Sequence, residues 1–287
     1  QVMSTLKVKI LGINGSARHA NTELAVKEAL RAAKGMGYVE TEYVSLGDYN
    51  LVPCTGCMKC FGFQHPAGEG LKCYEFQDDS ELLLHKMHES DGLIFGAPVY
   101  VVGVNALSKI LMDKASMFGP MSFTRYCGGM RHKPLGVIAV GGGDSGGQEI
   151  VGLEIRTWAH ALGMMTVGPW PTREDPNPQC STYGAFPTTT DAVNVYAKNG
   201  ITKEATRTIP PTQGSRNMRS IRNTGRHVAH AAMVLAMGKS MFKESGLKEP
   251  DMIPFPRYSV KPKPGSWIQK LIDEGKVQYV PMGKIKQ

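Results

Sequence analysis

The chain has 287 residues and a formal net charge of +8, with 41% hydrophobic and 20% charged residues. This composition is that of an ordinary globular protein, and the length is sufficient for a large core and one or two domains. No apolar run approaches the roughly 20 residues that a membrane-spanning helix needs, so we expect no membrane association. The first residues lack the apolar core of a signal peptide, and we therefore expect a cytoplasmic protein.

The excess of basic residues is compatible with anionic partners such as phosphorylated cofactors, acidic electron-carrier proteins or nucleic acid. A solvated basic surface explains the same excess equally well. Because the sequence contains no nucleic-acid-binding motif, we expect no nucleic-acid partner.

Strand and helix patterns alternate through the first two-thirds of the chain. Strands are predicted at residues 8–13, 38–46, 92–97, 135–140 and 164–167. Helices are predicted at residues 21–34, 79–89, 105–117 and 147–162. Such alternation predicts an α/β fold, with a parallel sheet covered by helices on both faces. Five strands fit the flavodoxin-like doubly wound order, which binds FMN at its switch point.

The alternating pattern ends after Trp170, where prolines punctuate a stretch with little apolar periodicity. A short helix is predicted near residues 190–198 and a strong helix at residues 215–242, followed by a tail rich in proline and lysine. We predict a flavodoxin-like domain over residues 1–195, with a cysteine-rich loop at 54–73, and a C-terminal extension over 196–287.

The loop after the first predicted strand, residues 12–22, suits a phosphate group. Its glycines let backbone N–H groups turn toward an anion, and the N-terminus of the next helix adds a favourable dipole. Further hydrogen bonds and charge are available from Ser16, Arg18, Asn21 and Thr22. The loop is neither a dinucleotide fingerprint nor a P-loop, which favours FMN over FAD. The alternative is a plain strand-to-helix turn capped by Asn21 or Thr22.

Two further loops follow the carboxyl ends of predicted strands, the edge at which open parallel sheets bind ligands. The loop of residues 96–105 offers backbone amides and the Tyr100 ring to a flat ligand; alternatively, Pro98 only ends the strand and Tyr100 belongs to the core. The loop of residues 141–149 has glycine at five of its first seven positions, which permits very close backbone approach. Its alternative is a flexible surface loop.

In combination these segments resemble the NAD(P)H-dependent FMN reductases of the flavodoxin superfamily, over about residues 7–170. The matching motifs are Gly-Ser-x-Arg…Asn-Thr, Gly-Ala-Pro-Val-Tyr, Lys-Pro before the fourth strand, and Gly-Gly…Gly-Gly-Gln-Glu. The resemblance implies that the FMN phosphate is held by Ser16, Arg18, Asn21 and Thr22. It implies that the ring lies against residues of the other two loops: Pro98, Val99, Tyr100, Val101, Gly103, Gly143, Asp144, Gly146 and Gly147. Departures are the pair Asp113-Lys114, where relatives often have Asp-Arg, and the long extension.

Four of the six cysteines crowd into residues 54–73. The first three form a C-x2-C-x2-C run, a pattern typical of 4Fe–4S binding through thiolates, and the fourth follows after twelve residues. Structural zinc usually takes two ligands from each of two knuckles, and a redox dithiol needs only one C-x2-C, so these alternatives and free thiols fit less well. We predict a 4Fe–4S cluster on Cys54, Cys57, Cys60 and Cys73. The remaining cysteines, Cys127 and Cys180, are interpreted as ordinary side chains.

The same run resembles the iron–sulfur flavoproteins, a branch of that FMN superfamily. Their cysteines occupy the loop after strand two and are followed by paired aspartates, here Asp78-Asp79. The departure is the longer gap between Cys60 and Cys73, which looks like a loop insertion.

The predicted C-terminal helix carries basic residues at spacings that place them on one face. These residues are Arg216, Arg219, Arg222, Arg226 and His230. The favoured interpretation is a solvated face; the alternative is a docking surface for an acidic electron carrier or for pyridine-nucleotide phosphates. Because the extension lacks a core of its own, we expect a homo-oligomer, a dimer or a tetramer, in which it lies on a partner subunit.

The main hypothesis is an oxidoreductase that passes electrons through FMN and a 4Fe–4S cluster, between a reduced donor, NAD(P)H or a ferredoxin-like carrier, and an acceptor. One alternative is a clusterless NAD(P)H-dependent reductase of free flavin, quinones or nitro compounds. A second is a non-enzymatic electron carrier resembling flavodoxin. No residue stands out as a general acid or base, so no catalytic residue is assigned.

Overall fold

The computed structural model describes residues 7–61, 70–120, 122, 124, 126–142, 146–178, 183–188, 216–246, 264–265, 269–270 and 273–274. The strands are β1 (Val8–Asn14), β2 (Val39–Ser45), β3 (Gly92–Tyr100), β4 (Gly103–Val104), β5 (Pro134–Val140) and β6 (Met165–Val167). The helices are α1 (Asn21–Lys34), α2 (Ser80–Glu89), α3 (Ala106–Lys114), α4 (Gln148–Ala161) and α5 (Arg216–Ser245). None of the helices that the structure describes is long and apolar enough to cross a membrane.

Five of the strands form one parallel sheet in the order β2-β1-β3-β5-β6, and β4 pairs antiparallel with the end of β3. The central strands read as continuous apolar runs because helices cover both of their faces, and all seven residues of β5 are buried. This strand order confirms the predicted α/β, flavodoxin-like doubly wound sheet.

The strand β3 extends further than the sequence pattern predicts. Its pairing with β1 ends at Gly96, so beyond that residue it has a parallel neighbour only in β5, where Pro98 lies opposite Val140. Proline is tolerated at such an edge position because no ladder hydrogen bond is lost there. The alternative in which Pro98 ends the strand and Tyr100 is core is therefore wrong, and Tyr100 is 43% exposed.

Successive residues of the sheet feed two different cores. Phe95 points into the cluster beneath α2, α3 and α4, whereas its neighbour Ile94 belongs to the cluster beneath α1 and α5. The helix α5, predicted at residues 215–242, is confirmed at Arg216–Ser245. It crosses α1 at Gly225, where an added Cβ would lie 2.0 Å from the Ala29 carbonyl oxygen. The predicted helix at 190–198 and the boundary near residue 195 lie outside the described residues, so the division into two domains stays a prediction.

Part of the basic face of α5 is buried rather than exposed to solvent. Arg222 is 9% exposed and donates to both carboxylate oxygens of Asp175, and Arg226 donates to the same carboxylate. A second carboxylate, Glu28 of α1, lies 3.4 Å from Arg222. The favoured interpretation, a solvated face, is therefore wrong for these two arginines. Periodicity could not predict this contact, because Asp175 comes from an irregular segment.

Residues 183–188 return to the sheet and complete its edge. The Ala139 N–H donates to the Ala185 carbonyl, and the Ala185 N–H donates to the Val137 carbonyl, each at 2.9 Å. Because β6 pairs only with residues 134–136, this segment covers the remaining edge of β5. It ends with Thr188 beside Gly141, at the start of the glycine-rich loop.

Candidate functional site

The loop between β1 and α1 is fixed to the neighbouring elements through Gly15. The Gly15 N–H donates to the Gly96 carbonyl at 2.7 Å, and the Gly15 carbonyl accepts from Asn105 Nδ2 at 2.8 Å. A Cβ at this position would lie 2.0 Å from Ser108 Oγ and 3.0 Å from the Gly96 oxygen. Only glycine fits, and the loop is therefore held against both β3 and α3.

A series of hydrogen bonds shapes the rest of this loop. Asn14 donates to Ser45 Oγ at 3.0 Å and accepts from the Ser16 N–H at 3.1 Å. The Ser16 hydroxyl in turn accepts from the Arg18 N–H at 3.0 Å. Ser16 and Thr22 are buried at the base of the loop, and Arg18 lies exposed at its rim. The structure thus gathers the predicted phosphate-binding residues at one turn.

The N-terminus of α1 fits an anion. The residue before the helix is Ala20, and no side chain caps the first turn. The alternative of a turn capped by Asn21 or Thr22 is therefore wrong. The Oδ1 atoms of Asn21 and Asn105 are buried without a hydrogen-bond partner among the described residues. Because the two ends of an amide side chain are interchangeable in assignment, the Asn21 amide can present N–H groups to a ligand. These unpaired groups beside a helix N-terminus suit a phosphate monoester.

His19, which the sequence patterns did not single out, ties the same loop to the chain that leaves β2. Its ring nitrogens lie 2.8 Å from Asp48 Oδ1 and 2.9 Å from Glu23 Oε2. The Asp48 carboxylate first, and then Glu23, raise the pKa of His19 above its ordinary value of 6.5. A Cβ at Gly47 would lie 2.9 Å from the Ala17 carbonyl oxygen, so the two backbones touch. The signal that could have identified His19 is its spacing of four residues from Glu23, which lies in the first turn of α1.

The β3–β4 hairpin presents an apolar tip to solvent. Val101 is fully exposed and Val102 is 53% exposed. Their φ angles are 47° and 70°, a left-handed conformation that β-branched residues rarely adopt. The hairpin is held from behind, because the Val104 N–H donates to Glu154 Oε2 of α4 at 2.7 Å. Strain of this kind persists where the surrounding structure over-determines it, which is common at ligand-binding loops.

The glycine-rich loop after β5 meets this hairpin. Gly147 has a φ of 104°, and a Cβ there would lie 2.5 Å from the Val102 carbonyl oxygen. The predicted ring-binding residues that the structure brings together are therefore Pro98, Val99, Tyr100, Val101, Gly103, Gly146 and Gly147. Two others, Gly143 and Asp144, lie outside the described residues. All three loops leave the carboxyl edge of the sheet around the β1–β3 switch point, where this fold places a ligand.

The four clustered cysteines line a single cavity that is open to solvent. Cys54 and Cys57 are exposed, whereas Cys60 and Cys73 are half-buried. The segment between Cys60 and Cys73 includes residues 62–69, which lie outside the described residues. Cys73 nevertheless lines the same cavity as Cys60. Cys127 lies elsewhere, and Cys180 lies outside the described residues.

Thiolates placed this close together need a bound cation to offset their negative charge. Burial first, and then the neighbouring Cys54, Cys73 and Cys57, raise the pKa of the Cys60 thiol to about 11. Four thiolates in one cavity repel one another unless a cationic group binds them, so the set fits a metal cluster. No three His, Cys, Asp or Glu side chains of the described residues are arranged to hold a single metal ion. With Zn–S bonds of about 2.3 Å, tetrahedral zinc would need all four sulfurs within about 4 Å of one another.

Paired aspartates close the base of the cysteine loop. The Asn50 N–H donates to Asp79 Oδ2 at 2.7 Å, and the Val52 N–H donates to Asp78 Oδ2 at 2.9 Å. Asp78 also accepts from the Ser80 N–H at 3.1 Å, which fixes it at the start of α2. These contacts hold the two ends of the loop together, a physical role for the pair that the sequence pattern singled out.

Comparison with known proteins agrees with this geometry. The profile of the NADPH-dependent FMN reductase family matches residues 8–174, more than half of the chain. An iron–sulfur flavoprotein of Methanocaldococcus jannaschii is 41% identical over 162 residues, which are 56% of this chain and 76% of that protein. An iron–sulfur flavoprotein of Methanosarcina thermophila is 32% identical over 162 residues, 56% of this chain and 78% of that protein. A solved structure of a flavone reductase is similar at 19% identity, with a TM-score of 0.49, over 78% of this chain and 62% of that one. The chain therefore belongs to the NADPH-dependent FMN reductase family of flavin-dependent oxidoreductases, in its iron–sulfur flavoprotein branch.

Proposed function

We propose that this oxidoreductase carries electrons between a reduced donor, NAD(P)H or a ferredoxin-like carrier, and an acceptor, using FMN and a 4Fe–4S cluster. The observation that carries the proposal is the convergence of Cys54, Cys57, Cys60 and Cys73 on one cavity. The relatives named above carry the name iron–sulfur flavoprotein, which supports the same reading.

The FMN phosphate would be held by the β1–α1 loop through Ser16, Arg18, Asn21 and Thr22. The ring would lie against the hairpin and the glycine-rich loop, including Gly143 and Asp144. FMN supplies the capacity to accept a hydride or two electrons, and the protein supplies position and electrostatics. The uncapped first turn of α1 and the Asn21 amide, which can present its N–H groups to the phosphate, support this assignment.

The cluster would be held by the four cysteine thiolates, and it supplies one-electron exchange when bound. Two backbone N–H groups already donate to these sulfurs at 3.4 Å, Gly56 to Cys54 and Phe76 to Cys73. Such N–H···S contacts are among the features that tune a cluster. They support the assignment of Cys73, whose distance along the sequence made it the least regular of the four.

Single Cys→Ser variants test the cluster assignment, with Cys127→Ser as the matched control. We expect each of the four cavity variants to lose iron and brown absorbance after anaerobic purification. FMN should be retained, because the proposed phosphate-binding residues belong to the separate β1–α1 loop. The control should keep both cofactors. A Cys73→Ser variant with a full iron content would show that the fourth ligand is misassigned.

A clusterless NAD(P)H-dependent reductase is the second candidate. The observation in its favour is the match of the NADPH-dependent FMN reductase profile to residues 8–174. Steady-state turnover with NADH and NADPH, measured on iron-containing and iron-free wild-type protein, separates the two candidates. Equal turnover rates would favour the clusterless reductase, and negligible turnover with either nucleotide would favour a non-enzymatic carrier.

We further propose a homo-oligomer, a dimer or a tetramer, working in the cytoplasm with an acidic electron-carrier protein as a partner. The exposed apolar residues Val101 and Val102 at the hairpin tip support an oligomer, since a partner subunit would cover them. The net charge of +8 supports an acidic partner. Sedimentation at micromolar concentration tests the oligomer, and a monomer there would contradict it.

A further inference from the structure

One wall of the cysteine cavity carries a buried lysine. Lys114, at the C-terminal end of α3, lines the cavity, and its side chain is only 3% exposed. Its Nζ lies 2.9 Å from Asp78 Oδ2, but it makes no well-aligned hydrogen bond among the described residues. A buried ammonium with unsatisfied donors is costly unless something nearby uses its charge.

The ion pair is oriented with its positive end toward the cysteines. Lys114 lines the cavity and Asp78 does not. The Asp78 carboxylate also accepts from the Val52 N–H, at the same Oδ2 atom that faces Lys114, and from the Ser80 N–H at Oδ1. The aspartate therefore keeps the lysine charged without facing the sulfurs itself.

The ion pair gives the lysine a reason to carry its charge despite its burial. Lys114 Nζ lies 2.9 Å from Asp78 Oδ2 and both side chains are almost completely buried, so the carboxylate favours the ammonium form. The other acidic groups on the cavity wall are already paired with lysines that solvent reaches, Asp113 with Lys109 and Glu75 with Lys59. Lys114 is thus the buried cation of the wall among the residues described.

We infer that Lys114 is the residue through which the protein raises the reduction potential of the cluster, an inference that rests on the proposed function. Four thiolates already bring four negative charges, and one-electron reduction adds another. A fixed positive charge in a poorly solvated wall stabilises the more negative, reduced state. Net charge and solvent exposure are established determinants of cluster potential.

The test compares Lys114→Met with Lys114→Arg and with Lys59→Met. The methionine keeps a long unbranched side chain without charge, and arginine restores the charge. Lys59 also lies close to Cys57 and Cys73, but its side chain is 34% exposed and paired with Glu75, so solvent should screen it more than Lys114, which is 3% exposed. The readouts are iron content and the midpoint potential of the reduced-cluster EPR signal in a dye-mediated titration.

We expect Lys114→Met to keep its iron and to shift the potential in the negative direction. At a fixed potential the ratio of reduced to oxidised cluster should fall about tenfold, which is about 59 mV for one electron. Lys114→Arg should stay close to the wild type, and Lys59→Met should change the ratio by less than about twofold. An unchanged potential in an iron-replete Lys114→Met, or equal shifts in the two methionine variants, would overturn the inference.

A second variant decides the matter if Lys114→Met does not hold iron. Lys114→Gln keeps a long polar side chain at the cavity wall but removes the positive charge, so this variant should hold iron and the potential should again move in the negative direction. An unchanged or more positive potential in iron-replete Lys114→Gln would overturn the inference. A wild type that contains FMN but no iron is a different result, because it contradicts the proposed cluster rather than the role of Lys114 alone.

Discussion

Replacing Gly15 with alanine should weaken FMN binding without disturbing the rest of the fold. The new Cβ would lie 2.0 Å from Ser108 Oγ and 3.0 Å from the Gly96 carbonyl oxygen. The carbonyl belongs to β3 and cannot move, and Ser108 is fully buried, so the β1–α1 loop must shift. Overpacking of this kind costs about 1–3 kcal/mol. Since about 1.4 kcal/mol is a factor of ten, the Kd for FMN should rise between about fivefold and about 140-fold.

The assay is a fluorescence titration of FMN into apoprotein, alongside thermal unfolding. The double variant Gly15→Ala, Ser108→Ala removes the closest contact and leaves the Ser108 Cβ, which lies 3.3 Å from the added atom. It should recover part of the lost affinity. Gly238→Ala is the control, because nothing lies within 4 Å of a Cβ there. Wild-type affinity in Gly15→Ala would refute the assignment of this loop to the phosphate.

Three further expectations concern stability and titration. Arg222→Met should destabilise the protein by about 2–3 kcal/mol in urea melts at neutral pH, because it removes charged hydrogen bonds from a buried carboxylate. Arg222, and then Arg226, hold the pKa of Asp175 below its ordinary value of 3.8. The stabilisation from this ion pair is therefore complete above pH 3.8 and is lost as the pH falls through the lower pKa of the folded protein. At such low pH the variant and the wild type should be equally stable. The pKa of His19 is raised above 6.5, so the contribution of protonated His19 to folding stability is complete below pH 6.5 and is lost as the pH rises through the pKa of the folded protein. An NMR titration that gives the His19 ring a pKa at or below 6.5 would contradict this expectation. Gly225→Ala should cost about 1–3 kcal/mol in the same melts, because α1 backbone blocks the new Cβ, while Gly238→Ala should be neutral or stabilising by up to about 1 kcal/mol.

Local patterns predicted the parallel sheet because its strands and helices have short-range signatures. A strand such as β5 is buried along its whole length, and the helix α1 has bounds that agree with its predicted range. The position of the β1–α1 loop was predictable for the same reason, since its glycines lie between a strand pattern and a helix pattern; its binding of a phosphate stays a prediction.

Contacts between distant segments could not be predicted in this way. The extension of β3 past Pro98 depends on where the β1 partner ends, and the edge segment ending at Thr188 has no periodicity of its own. Likewise, Asp175 fixes the basic face of α5 across more than 40 residues of sequence. The placement of Lys114 in the cysteine cavity depends on α3 packing beside a loop that begins some 50 residues earlier. Such placements follow from tertiary packing, which periodicity does not encode.

The most direct measurement of the central claim is the cofactor stoichiometry of wild-type protein purified without oxygen. FMN would be measured after denaturation, and iron and acid-labile sulfide would be measured on the same sample, with a visible spectrum of the intact protein. We predict about one FMN, four irons and four sulfides per chain, with brown absorbance that bleaches on reduction. FMN with neither iron nor sulfide would contradict the proposed cluster, and release of FAD instead of FMN would contradict the assignment of the β1–α1 loop.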